Sequence, residues 1–112
     1  MSIVYYANYF VYFERGRTEL MRDLGLPYKT LESTGVMLPV IESYCKYFKS
    51  AHYDDELEIV TKISERKGIR IKMECEIFRD GEKLVQGHTW HVSTNLNGKP
   101  CKTPSELVEL FK

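Results

Sequence analysis

The chain has 112 residues, with 16 Lys and Arg against 16 Asp and Glu, and a formal net charge of zero. That length suits one domain around one core, residues 1–112. Balanced charge argues against a nucleic-acid binder working through phosphate neutralisation, and no apolar run approaches the ~20 residues needed to span a bilayer.

Residues from about Tyr6 to Leu24 read as a helix, with Phe10, Phe13, Leu20, Met21 and Leu24 recurring at three- and four-residue steps. Tyr5, Tyr9 and Tyr12 add a second aromatic stripe, so the helix is apolar over more than half its circumference and calls for other structure around it. Gly16 costs helix stability, which close approach of a neighbouring backbone would explain. Gly25 is a natural C-terminal cap, and Pro27 follows as a stop. After "LPYKTLESTG" the pattern changes to period two.

Strand patterns come next. "VMLPVIESYCKYF" is expected as a strand with an edge or bulge near Pro39. "ELEIVTKI" sets Leu57, Ile59 and Ile63 against Glu56, Glu58 and Lys62. "IRIKMECEI" alternates cleanly, with Ile69, Ile71, Met73, Cys75 and Ile77 on one face. "RDGEK" supplies an Asp-Gly turn, and "LVQGHTWHVST" returns as its hairpin partner. "NLNGKP" is a second turn, and "PSELVELFK" a short final helix with Ser105 as its cap. One long helix, four strands mostly in hairpin succession and a short helix give an α+β layer fold. A helix this apolar requires the sheet to curl around it.

Several groups could carry chemistry. His88 and His91 lie three apart on a strand, so they point to opposite faces and cannot chelate one metal ion. Trp90 shares the face of His88 and reads as core or interface. Glu14, Arg15, Arg17 and Glu19 interrupt the apolar helix, either as a solvated face or with Glu14 and Arg17 as partly buried pairs against a neighbouring subunit. "AHYDDELEI" gathers His52, Tyr53, Asp54 and Asp55 before a strand, as turn chemistry or as a site at the strand mouth. Arg66, Lys67 and Arg70 surround a glycine and form an ordinary basic turn or an anion site. Cys45, Cys75 and Cys101 are widely spaced and odd in number, as expected of thiols in a reducing cytoplasm and not of a disulfide or zinc framework.

The run "IVYYANYFVYFERGRTELMRDLG" resembles the helix region of the 4-hydroxybenzoyl-CoA thioesterase-like family, which includes Tol-Pal-associated acyl-CoA thioesterases. The match is carried by Ile3, Val4, Tyr5, Tyr6, Ala7, Asn8 and Tyr9, then by Phe13, Glu14, Arg17 and Glu19. "AHYDDELEI" is similar to the family's Ala-x-Tyr-Asp-Asp segment, with Ser50 where a Pro is usual, and the C-terminal turn and helix follow in the family's order. The resemblance implies a hotdog fold, an antiparallel sheet wrapped around one long helix. It implies a homodimer or homotetramer with sites shared across the dimer interface, and acyl-CoA as substrate with no separate cofactor.

It also implies roles. The Tyr6 backbone N–H would polarise the thioester carbonyl, Val4, Tyr5 and Asn8 would shape the helix-entry pocket, and His52 and Tyr53 would line the acyl or pantetheine channel. Arg66, Lys67 and Arg70 would meet the CoA phosphates. The chain departs from the pattern at the attacking carboxylate: the family's catalytic Asp would fall two places before Met1, the family's first strand would precede it, and no acidic residue occurs before Glu14. One expectation is an acyl-CoA hydrolase whose natural chain is longer, Met1 being internal. The alternative is a short hotdog module that binds thioesters or assembles without turnover, or borrows Asp54, Asp55 or His52 of a neighbouring subunit.

Overall fold

The computed structural model of the chain describes residues 8–52 and 54–111. The elements are α1 (Asn8–Asp23), α2 (Tyr28–Ser33), β1 (Val40–Tyr47), β2 (Glu58–Lys67), β3 (Arg70–Arg79), β4 (Glu82–Val92) and α3 (Ser105–Glu109). The four strands form one antiparallel sheet in the order β1-β4-β3-β2. The α1 helix lies on one face of it, in a hotdog arrangement.

Helix α1 ends as its residues demand. Gly25 has φ 76°, and the N–H groups of Gly25 and Leu26 bond back to the Arg22 and Met21 carbonyls. That left-handed cap satisfies the last carbonyls of the helix. Its buried residues are Tyr9, Phe13 and Met21. These meet the inner face of β3, where Ile71, Met73, Cys75 and Ile77 are all buried, as the alternation predicts. The core divides along the helix. Tyr9 and Phe13 pack with Ala51, Cys75, Ile77, Leu84 and Val85, whereas Met21 packs with Ile71, Met73, Leu26, Leu31, Leu38 and Leu107. The N-terminus of α1 therefore sits at the β3–β4 turn end of the sheet, and its C-terminus at the β2–β3 turn end.

Two glycines set how closely the layers approach. A methyl group at Gly16 would overlap the Thr61 hydroxyl and stand 3.0 Å from the Ile59 methyl. The close approach expected there is real, but it is made by β2 side chains and not by backbone. On β4, a Gly87 methyl would overlap the Tyr44 carbonyl oxygen and stand 2.6 Å from the Phe13 ring.

Two expectations need amendment, and one element was not anticipated. The segment after Pro27 is helical, α2, with the Pro27 carbonyl accepting from the Thr30 and Leu31 N–H groups. Ser105 does not cap α3: Pro104 holds that place, and the Ser105 hydroxyl donates to Glu106 instead. Leu24, expected on the buried stripe, is 37% exposed because the helix has already turned into its cap. The Asp80-Gly81 turn is as expected, both residues having positive φ. So is the irregularity after Pro39, where the β1–β4 register shifts between Val40 and Glu42.

Candidate active site

The entrance of α1 is the chemically distinctive end of the molecule. The first turn carries no acidic side chain, so nothing on it offsets the positive end of the helix dipole. Val4, Tyr5, Tyr6 and Tyr53 lie outside the described residues. Asn8 opens the helix. Next to it the buried Tyr9 hydroxyl accepts a hydrogen bond from the Ala51 N–H at 2.9 Å. That bond fastens the segment carrying His52 to the first helical turn, so Asn8 and His52 share one end of the fold. The Tyr9 ring also packs on Tyr47, with centroids 5.2 Å apart, and edge-on to Tyr12 at 6.0 Å.

The 48–55 segment is held from its other side by charge. The Phe48 and Lys49 N–H groups donate to the Leu84 carbonyl, and Lys49 pairs with Glu82. The Asp55 Oδ2 accepts from the His52 N–H at 2.7 Å and from Arg79 Nη1 at 2.9 Å, while Arg79 Nη2 reaches Glu82 at 3.3 Å. The His52 backbone bond first, and then Arg79, hold the Asp55 carboxyl below its ordinary range. An ionised carboxylate so engaged is a weak base, and its work is to shape the loop. His52 is half exposed, with Nδ1 3.6 Å from the same carboxylate.

Arg66, Lys67 and Arg70 are brought together at the β2–β3 turn, but not with His52. Nine strand steps separate Arg70 from Arg79, roughly 30 Å. Arg66 folds back onto the Gly68 carbonyl at 2.9 Å, and Lys67 pairs with Glu65 at 3.3 Å. On the outer sheet face the Lys67 and Lys72 ammonium groups lie 5.5 and 5.9 Å from the Trp90 ring. Glu42, Lys67, Arg70 and Trp90 line a hollow of about 220 Å³ there. His88 occupies the same face, stacked on Tyr44 at 5.3 Å, and His91 the opposite one.

His91 is fully buried. Its Nδ1 donates to the Leu38 carbonyl at 2.8 Å, because a carbonyl can only accept, which leaves Nε2 to accept from the Thr89 hydroxyl at 2.8 Å. Burial, reinforced by Arg17, keeps the ring's pKa below the ordinary 6.5. His91 is a neutral fastener between β4 and the approach to β1. The Arg17 guanidinium lies near the Tyr28 hydroxyl, between α1 and α2, while Glu14 is exposed. Sequence reasoning passed over Tyr9 as a latch and Arg79 as a loop anchor. The only available signal was that each stood beside a motif residue.

Residues 1–111 match the family model described as the thioesterase-like superfamily. The chain belongs to that superfamily. The membership that its helix motif implied is thereby established. It is 31% identical over 111 residues to a putative esterase of Aquifex aeolicus, covering 99% of this chain and 86% of the relative. It is 32% identical over 112 residues to an acyl-CoA thioesterase of Haemophilus influenzae, covering 98% and 82%. The crystal structure of a hypothetical protein from Aquifex aeolicus superimposes with a TM-score of 0.91 at 31% identity, covering 99% of this chain and 87% of that one. Superfamily membership thus coincides with a helix entrance free of acidic side chains and latched by Tyr9.

Proposed function

We propose that the chain is an acyl-CoA thioester hydrolase. Water is added across the C–S bond: the acyl carbon gains the hydroxyl, and the sulfur takes a proton and leaves as free CoA. The observation that carries the reading is the positive entrance of α1, set beside the latched 48–52 segment in a chain of the thioesterase-like superfamily. Backbone N–H groups at a helix start lack intrahelical partners. Aimed at a thioester oxygen, they stabilise the negative charge that develops in the tetrahedral intermediate. The Tyr6 N–H is the group proposed to do this, with Val4, Tyr5 and Asn8 shaping the pocket and His52 and Tyr53 lining the channel. Chemistry by a polarising amide and a base needs no cofactor. Its relatives' printed names support the substrate class.

The working unit proposed is a homodimer or homotetramer in the cytoplasm. Three free thiols support the reducing compartment. The oligomer answers the roughly 30 Å between the helix entrance and Lys67 and Arg70. A two-fold partner reverses the sheet, so that its 66–70 turn comes to the first copy's helix entrance and can meet the phosphates of CoA.

One observation favours a second reading, thioester binding without turnover. Asp55 is committed to Arg79 and the His52 N–H. Thiol release from a panel of acyl-CoAs, with calorimetric titration of the same compounds, separates the two. Saturable release supports the hydrolase, and saturable binding without release supports the binding module. Neither binding nor release would refute both.

A further inference from the structure

Tyr9 is 2% exposed and packs in one cluster with Phe13, Ala51, Ile77, Leu84 and Val85. One turn further along α1, Phe13 fills its place in that cluster with a plain ring. Packing alone therefore does not call for a phenol at Tyr9. Its oxygen accepts from the Ala51 N–H at 2.9 Å, across 42 residues of sequence. Ala51 is itself fully buried. Without that oxygen a buried backbone donor would stand unpaired, a cost that drives the segment to shift until the group is satisfied again.

The bond differs in direction from the other ties on this segment. The Phe48 and Lys49 N–H groups donate to the Leu84 carbonyl, Lys49 pairs with Glu82, and Asp55 pairs with Arg79. All of these hold residues 48–55 to the β3–β4 hairpin. The Tyr9 hydroxyl holds them to the first turn of α1.

We propose that Tyr9 is a positioning residue for the hydrolysis, its hydroxyl fixing the 49–52 segment, and with it His52, relative to the helix entrance. This role rests on the hydrolase reading of that entrance; the hydrogen bond does not. A thioester polarised at the helix start must lay its acyl or pantetheine arm along the neighbouring segment. Reaction then depends on both ends being in register, and a misplacement of about 1 Å can cost on the order of a hundredfold in rate. A segment held at one distance also favours one size of acyl group over others. Released from α1 but still tied to the hairpin, it would accept more acyl groups and hold each in fewer reactive poses. The loss therefore falls on kcat and on acyl selectivity more than on KM.

Tyr9→Phe in the full chain tests this, because it removes the oxygen and keeps the ring that packs on Tyr12 and Tyr47. Across a panel of acyl-CoAs, kcat for thiol release should fall about ten- to a hundredfold with KM within about threefold. The ratio of kcat/KM between the best and poorest acyl groups should narrow by about threefold or more. Amide exchange at Ala51 should quicken by about tenfold or more, while the β3 and β4 amides keep their protection. Tyr12→Phe is the control, since the Tyr12 hydroxyl makes no hydrogen bond among the described residues, and it should leave all three readings unchanged. Unchanged kcat and selectivity in Tyr9→Phe would overturn the proposal and leave Tyr9 a core residue, and so would a variant that no longer folds. Binding without release by the unsubstituted chain refutes the hydrolase reading instead, and the comparison passes to calorimetric Kd values for the same compounds. There, narrowed acyl selectivity in Tyr9→Phe keeps the positioning role, and unchanged selectivity overturns it. Neither binding nor release refutes the two together.

Discussion

At Gly87 an added methyl group has nowhere to go, because one of its neighbours is the Tyr44 carbonyl and the other the buried Phe13 ring. Gly87→Ala should therefore destabilise the chain by about 2–3 kcal/mol in urea unfolding, the cost of overpacking against backbone. His91 makes the pH prediction. Burial lowers its folded-state pKa below the ordinary 6.5, so just below that pH the unfolded chain binds more protons than the folded one. Its contribution is fully present above about pH 6.5 and is lost as the pH falls toward the folded-state value. Denaturation followed from pH 8 to 5 should show this decline, and His91→Gln should remove it. The Asp55 contribution follows the same sign lower down, lost as the pH falls through the folded carboxyl's depressed value.

At the scale of elements, the 48–55 segment is fixed at two points, Tyr9 from the helix and Arg79 from β3. Arg79→Ala releases Asp55, and amide hydrogen exchange at residues 50–55 should quicken while the β3–β4 amides stay protected. The elements differ in how plainly their residues announced them. Strand β3 was legible because one face is buried and the other solvated, so Ile71, Met73, Cys75 and Ile77 alternate without exception. The long helix was legible from its period and from Gly25. Helix α2 was not, because six residues hold too few periodic positions; tertiary packing of Leu31 and the Pro27 carbonyl settle it. The Ser105 cap failed because Pro104, with ψ 138°, is the last non-helical residue and Ser105 already lies inside the helix.

For the whole molecule, the sheet-and-helix layers followed from periodicity, but their wrapping and the meaning of the helix entrance came only with the family resemblance. Periodicity says which face is buried and is silent on which ends meet. The separation of His52 from Lys67 and Arg70 is such a fact: both groups sit near turns, and only strand order shows them at opposite ends. The central claim is catalytic, and steady-state thiol release by the 112-residue chain across a panel of acyl-CoAs tests it most directly. The account predicts saturable release of CoA from at least one member of the panel. No release above the uncatalysed rate from any member would contradict it.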